Sequence, residues 1–344
     1  MAAMSTRAPS PSPAPGPSSF SAASSSTSMS TEELTRIATL YYVDGQTQEE
    51  LSRRFGISRA TVGRMLKKAQ DLGIVEIRVQ HHTSLTVDLE RELVRRFGIS
   101  RALLSVDHAD AEKQRALLAA LVATWLDRNL SDGAIVAVGM GRNVSAVSEH
   151  AMPATRRAAT FVCAIGGSYR GGETMNPDHI CRRLAARFGG ESETLYAPAM
   201  VDDITLRAAL LENDTVRQTL DKARRADIAL VGIGDMSEDS NMVRMGWFSA
   251  QEITEAKRQG IVGDVMGYDF IDIHGRSAMG PIQGRVVGLS TQDLTRIPNV
   301  IAIAGESSKT TAILGALRTG TIDTLATTAT NAMAVLHLDD ATRR

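Results

Sequence analysis

The stretch Thr47–Leu72, TQEELSRRFGISRATVGRMLKKAQDL, reads as two short helices joined by a tight turn. Thr47 is placed to cap the first helix, and Glu50, three residues on, to reach back to the cap. Leu51 and Phe55 fall four apart on one stripe. Gly56 supplies the left-handed conformation that ends a helix, and Ile57 the apolar contact that accompanies such an end. Ser58 caps the next helix, whose apolar residues Val62, Met65, Leu66 and Ala69 recur at helical spacing. Helices so spaced form a helix-turn-helix, whose second helix enters the major groove of DNA and presents its first residues to base edges.

Charge points the same way. Arg53, Arg54, Arg59, Arg64, Lys67 and Lys68 against Glu49, Glu50 and Asp71 give the stretch +3, in a chain of net charge −1. Positive charge gathered on a near-neutral chain suits phosphate contact. The plainer alternative is a solvated face on an ordinary three-helix packing unit. The following IVEIRV, Ile74–Val79, alternates like a strand and reads as a β-wing, which favours DNA. The residues expected to meet DNA are Thr47, Gln48, Ser58, Arg59, Ala60, Thr61, Arg64, Lys67 and Lys68. Arg59 and Thr61 are expected nearest the bases, Lys67 and Lys68 at the phosphates.

The octapeptide RRFGISRA occurs twice, at Arg53–Ala60 and Arg95–Ala102. The first copy runs into a helical pattern and the second into LLSV, Leu103–Val106, which reads as a strand. What they share is a helix ending at glycine.

Upstream, Thr31–Val43 is expected to form the first helix of the same module, on a stripe of Leu34, Ile37, Ala38 and Tyr41. Residues 1–30 are nearly all Ala, Pro and Ser, a composition expected to stay disordered, and Met29 is an alternative start. The segment lacks the charged start and apolar centre of a secretion signal. The module spans 31–80, a linker helix 81–98 and a second domain 99–344. The adjacent His81 and His82 read as linker polarity. Cys163 and Cys181 have no metal-ligand spacing, so neither a metal nor a cofactor is expected, and the chain reads as reduced and cytoplasmic. No apolar run approaches the ~20 residues of a membrane span.

From about residue 100, apolar runs alternate with helical stretches. The runs are 134–139, 160–165, 227–234, 286–290 and 299–305; between them lie helices at 111–126, 144–150, 179–188, 204–223, 251–259 and 309–318. This predicts an α/β domain, doubly wound around a largely parallel sheet covered on both faces. Ligands of such sheets bind beyond the carboxyl ends of the strands.

Three glycine-rich strand ends are candidates. Gly139-Met140-Gly141-Arg142-Asn143 opens a helix whose first N–H groups favour an anion, but it lacks the third glycine of a dinucleotide site. Gly305-Glu306-Ser307-Ser308-Lys309 offers hydroxyls and a lysine to a phosphate or carboxylate, unless a serine there merely caps the helix. Gly166–Gly172 reads as a mobile loop over the site. Gly232-Ile233-Gly234-Asp235 leads into a long polar loop carrying Arg244 and Trp247, and Asp264 is placed to accept from sugar hydroxyls. No Ser-His-Asp order or close carboxylate pair emerges, so no catalytic residue is assigned.

TQEELSRRFGISRATVGRML together with GMGRN, ALVGIGD, GIVGDVMGYDFIDIHG and VVGLSTQDLTRIPNVIAIAGESSKTTAILGALRTG resembles the SorC/DeoR-type sugar-binding bacterial transcription regulators. The resemblance covers roughly residues 31–338, and 260–320 is its most specific part. It implies a winged helix-turn-helix joined to an effector domain of the ribose-5-phosphate isomerase and glucosamine-6-phosphate deaminase fold. Such proteins bind operator DNA as homotetramers or dimers under control of a phosphorylated sugar. It places the phosphate at Gly139, Gly141, Arg142 and Asn143 and at Gly305, Ser307, Ser308 and Lys309, beside Gly166 and Gly167, and the sugar at Asn176, Asp178, Asp264 and Arg244. The chain departs where family members carry Thr-Asp-Glu, having Thr327-Thr328-Ala329-Thr330, and where some carry arginine it has Ile165. The second departure widens the implied ligand to non-phosphorylated sugars and polyols. The runner-up reading is a sugar-phosphate isomerase or deaminase bearing an appended helix-turn-helix.

Overall fold

Capping chemistry and one apolar stripe per helix set the N-terminal unit. In the computed structural model its helices are α1 (Thr31–Tyr42), α2 (Gln48–Phe55) and α3 (Arg59–Asp71). The Thr47 hydroxyl accepts from the Glu50 N–H at 3.2 Å, and the Glu50 carboxylate accepts from the Thr47 N–H at 2.7 Å. The Thr47 N–H and then the Thr47 hydroxyl, both donating to the Glu50 carboxylate, hold that carboxyl below its ordinary range. Gly56 ends α2 at φ +65°, a conformation that strains side chains with a Cβ. Leu34, Ile37, Ala38, Leu51, Val62, Met65, Leu66 and Ala69 form the core of this unit, the stripes expected from the sequence.

The structure describes residues 30–75, 84–238, 240–266, 269–278 and 284–342. Residues 1–29 of the expected disordered tail, all but the first two residues of the expected wing, and the His81-His82 pair lie outside them, whereas Ser30, the last residue of that tail, caps α1. The chain divides into two compact units, Met1–Gln80 and His81–Arg344.

The second unit is an α/β sandwich on a mostly parallel sheet. Its strands are β1 (Arg101–Ser105), β2 (Ile135–Val138), β3 (Thr160–Cys163), β4 (Glu191–Glu193), β5 (Ile228–Asp235), β6 (Ile261–Val265), β7 (Asp269–Asp272), β8 (Asn299–Ile303) and β9 (Thr324–Thr328). Seven run parallel in the order β1-β9-β8-β5-β2-β3-β4, and β6 and β7 add an antiparallel hairpin to the far end of β5. The helices longer than one turn among the described residues are α4 (Ser84–Phe97), α5 (Ala111–Asn129), α6 (Arg142–His150), α7 (Pro177–Phe188), α8 (Ile204–Glu212), α9 (Asp214–Arg224), α10 (Ala250–Arg258), α11 (Thr310–Arg318) and α12 (Ala329–Thr342). α5, α6 and α7 cover one face; α4, α9, α11 and α12 cover the other. The sheet is therefore apolar on both sides, and Val136, Ala137, Leu230, Val231, Val300 and Ile301 are fully buried.

Several details differ from the sequence reading: β4, β6, β7, β9 and α12 are not among the expected elements. The run 286–290 is not a strand; Val286 and Gly288 make single bridges to Met200 and Ile165. The expected helix 204–223 breaks at Asn213, whose side chain accepts from the Thr215 and Val216 N–H groups and starts a new helix. The amphipathic helix expected in the linker segment forms as α4 and packs on the second unit, with Leu89 and Leu93 in its core and Arg96 donating to the Leu336 carbonyl of α12 at 3.2 Å.

Candidate functional site

In the N-terminal unit, burial of one face of α3 leaves Arg59, Ala60, Arg64, Lys67 and Lys68 on the other, exposed. The Ser58 hydroxyl caps the helix, accepting from the Thr61 N–H at 3.1 Å, and its oxygen lies 2.8 Å from Thr61 Oγ1. Arg64 Nη2 donates to that same Thr61 Oγ1 at 3.1 Å. Ser58, Thr61 and Arg64 thus form one local network at the start of the helix, while Arg59, Lys67 and Lys68 extend from it. Thr47 is committed to its cap. Half-buried Gln48 faces α3, its Oε1 lying 3.8 Å from where a Cβ on Gly63 would stand.

In the second unit, a cleft with a cavity volume of about 80 Å³ opens at the carboxyl ends of β2 and β5. Of the residues expected to bind an effector, it brings together Gly141, Arg142, Asn143, Asp264 and Lys309. To these it adds Asp235, Ser240, Asn241, Met242, Met266 and Glu306. Gly141 stands at φ +118° before α6 without any side-chain cap, leaving the first N–H groups of that helix toward the cleft. Asp264 is buried on β6 opposite Gly234 of β5, where a Cβ on Gly234 would lie 2.2 Å from its Oδ2. Glycine at 234 is therefore what admits the carboxylate. Met266, buried at the floor, holds φ +63°, a strained conformation of the kind found at binding sites.

Glu306 is the electrostatic centre of the cleft. Its Oε2 lies 3.0 Å from Lys309 Nζ and accepts from Asn143 Nδ2 at 3.0 Å; its Oε1 is 3.9 Å from both Arg115 and Arg142. Burial works against its charge, but Lys309 and the Asn143 hydrogen bond prevail and bring its pKa down to about 2. Lys309 itself is 15% exposed at its side chain.

Several expected ligand residues have other work. Gly166 and Gly167 are pinned rather than mobile: their N–H groups donate to the Val287 and Ala197 carbonyls, and a Cβ at Gly166 would meet the Ala197 oxygen at 2.5 Å. Asn176 closes that loop, accepting from the Ser168 N–H at 2.7 Å and donating to the Ser168 and Gly172 carbonyls. Asp178 pairs with Arg182 and accepts from the Thr194 hydroxyl. Arg244 is exposed on the short helix Asn241–Arg244, outside the lining. Gly139 donates to the Leu230 carbonyl at 2.8 Å, and Gly305 packs toward Leu118, so both serve the sheet and its helices. Ser307 is exposed, and Ser308 donates to Asp235 at 2.6 Å; neither caps a helix. Ile165, one of the two departures from the family pattern, is fully buried.

A family model described as "Putative sugar-binding domain" matches residues 81–337. The chain belongs to that family. Its relatives are SorC/DeoR-type regulators. The transcriptional regulator LsrR of Klebsiella pneumoniae is 29% identical over 318 residues, covering 90% of this chain and 94% of that one. The sugar-binding domain of a transcriptional repressor from Vibrio fischeri matches at 52% identity and TM-score 0.69, over 74% of this chain and 99% of its own. The full-length sorbitol operon regulator SorC from Klebsiella pneumoniae matches at 26% identity and TM-score 0.71, over 90% of this chain and 100% of its own. The family match starts at the α4 segment, which agrees with the packing of α4 on the second unit.

Proposed function

We propose that the chain is a sequence-specific, DNA-binding transcriptional regulator of carbohydrate or polyol metabolism, acting in the cytoplasm as a homo-oligomer. In this reading α3 reads the operator, and the cleft at the ends of β2 and β5 takes a sugar, polyol or related metabolite that alters operator affinity. The observation that carries it is the convergence of Arg142, Asn143, Asp235, Asp264 and Lys309 on one cleft in a chain that also holds an exposed basic recognition helix. Carboxylates accept from vicinal hydroxyls, and the cations and amide donate to them.

The isomerase alternative needs a general base poised near neutral pH. Glu306, with a pKa of about 2, is poorly matched to that task. The test has two parts. Operator fragments selected from random DNA should bind with a salt-dependent affinity, and a thermal-shift screen of sugars and polyols should return a ligand that changes that affinity. Saturation at one hundred times the dissociation constant stabilises the native state by about 2.7 kcal/mol. Enzyme-like turnover of ribose 5-phosphate or glucosamine 6-phosphate would overturn this reading.

A further inference from the structure

The cleft carries its own anion. Both cations among the described lining residues face the carboxylate of Glu306, Lys309 at 3.0 Å and Arg142 at 3.9 Å, and Arg115 approaches the same carboxylate at 3.9 Å from outside the lining. The backbone that presents Glu306 is fixed from behind. Asn331, 1% exposed, donates to the Glu306 carbonyl at 3.2 Å and to Thr327 Oγ1 at 3.2 Å, while its own N–H donates to Thr328 Oγ1. The uncapped start of α6 favours a negative charge, and Glu306 already supplies one beside Arg142 and Asn143. Asp235 and Asp264 add two more carboxylates to the lining.

From this geometry we infer that the cleft selects an uncharged, polyhydroxylated ligand, a free sugar or polyol, over its phosphate ester, and that Glu306 is the residue that sets this preference. The inference rests on the cleft being the effector site. A phosphate dianion has to break the contacts of Glu306 with Lys309 and Asn143, or sit within a few ångströms of a like charge in a half-buried site. A neutral ligand meets neither obstacle. Its hydroxyls donate to Asp235, Asp264 and Glu306 and accept from Lys309 and Asn241, and the internal ion pairs stay whole. Glu306 also remains ionised across the neutral range, so the obstacle does not disappear by protonation.

The test uses the full chain and matched pairs: sorbitol with sorbitol 6-phosphate, erythritol with erythritol 4-phosphate, and ribose with ribose 5-phosphate, alongside inorganic phosphate. Dissociation constants are measured by calorimetry at fixed ionic strength for the wild type, Glu306→Gln and Glu306→Asp. The wild type should bind a neutral member at least about tenfold more tightly than its phosphate and give no saturable heat with inorganic phosphate. Glu306→Gln, which keeps an acceptor for Asn143, should shrink that ratio about tenfold or reverse it; Glu306→Asp, which keeps the charge, should retain it. A wild type that prefers the phosphate, or a ratio that Glu306→Gln leaves unchanged, overturns the inference and leaves the regulator reading intact. Failure of the underlying reading has a different signature: a chain that binds DNA while no member of any pair binds the wild type or either variant, an outcome that removes both.

Discussion

The octapeptide RRFGISRA stands twice in the chain, and the two copies keep different company. At Arg53–Ala60 it closes α2 and opens α3; at Arg95–Ala102 it closes α4 and enters β1. Both bend at a left-handed glycine, Gly56 at φ +65° and Gly98 at φ +69°. In the first copy Ser58 caps a helix with its side chain, while in the second Ser100 and Arg101 donate their N–H groups to the Asp323 carbonyl at the edge of β9. The arginines diverge most. Arg53 and Arg54 are exposed, Arg54 reaching Gln46 at 3.4 Å, whereas Arg95 and Arg96 both pair with Glu92 and Arg96 continues to Asp339 and Asp340. Identical residues are left open for a partner in one unit and neutralised internally in the other. The same division holds beyond the repeat: Arg59, Lys67 and Lys68 extend into solvent, while Arg115, Arg142 and Lys309 converge on Glu306.

The largest consequence concerns stability. Arg96→Ala removes one of two cations on the buried carboxylate of Asp339, Arg318 at 2.7 Å remaining. It also removes the Arg96 contacts to Glu92, Asp340 and the Leu336 carbonyl, and should cost about 1–3 kcal/mol by urea unfolding. The matching Arg54→Ala should stay within about 0.5 kcal/mol. Equal losses at the two positions would erase the distinction between them.

Next comes acid sensitivity. Glu306 has a folded pKa of about 2, below its ordinary 4.5. Its contribution is therefore fully present above the unfolded value and is lost as pH falls from about 4.5 toward 2; the amount is up to about 3 kcal/mol. Glu306→Gln should flatten the stability profile across that window. An unchanged profile would show that the committed cations do not depend on Glu306.

Smaller effects test the open cations. Arg59→Ala should reduce discrimination between operator and random DNA by ~1–3 kcal/mol while leaving the unfolding midpoint in place. Equal weakening on both DNAs would demote it to a phosphate contact. Lys67→Ala should lower the slope of log affinity against log salt by about 1. A slope that does not move would take Lys67 out of the interface.

Much of this was legible in the sequence because it is local. The capping box at Thr47 and Glu50, the left-handed glycine and the α3 stripe depend on residues within four of each other. The apolar strands β2, β3, β5 and β8 announced themselves as continuous runs between helices. The polar edge strand Glu191–Glu193 and the threonine-rich β9 did not, because parallel neighbours impose their conformation. In the cleft, Arg142, Asn143 and Lys309 could be found by asking which residues follow strands, whereas Asp264 lies within β6. Glu306 stands between the expected glycine and serines yet carries no local signal. Its partners Asn143 and Arg115 are 163 and 191 residues away in sequence, and only the sheet brings them together. Gly166 and Gly167 misled for the converse reason: the composition of a flexible loop also suits close packing against Ala197.

The central claim is that occupancy of the cleft governs the open cations of α3. Its most direct test is an operator-binding titration of the wild type and Lys309→Ala, each with and without the sugar or polyol returned by the screen. In the wild type the ligand should shift operator affinity, and operator should shift ligand affinity by the same factor. Lys309→Ala should bind operator as tightly as the ligand-free wild type and show no shift at a ligand concentration that saturates the wild type. A full shift in Lys309→Ala would contradict this account, as would a ligand that binds the cleft without changing operator affinity.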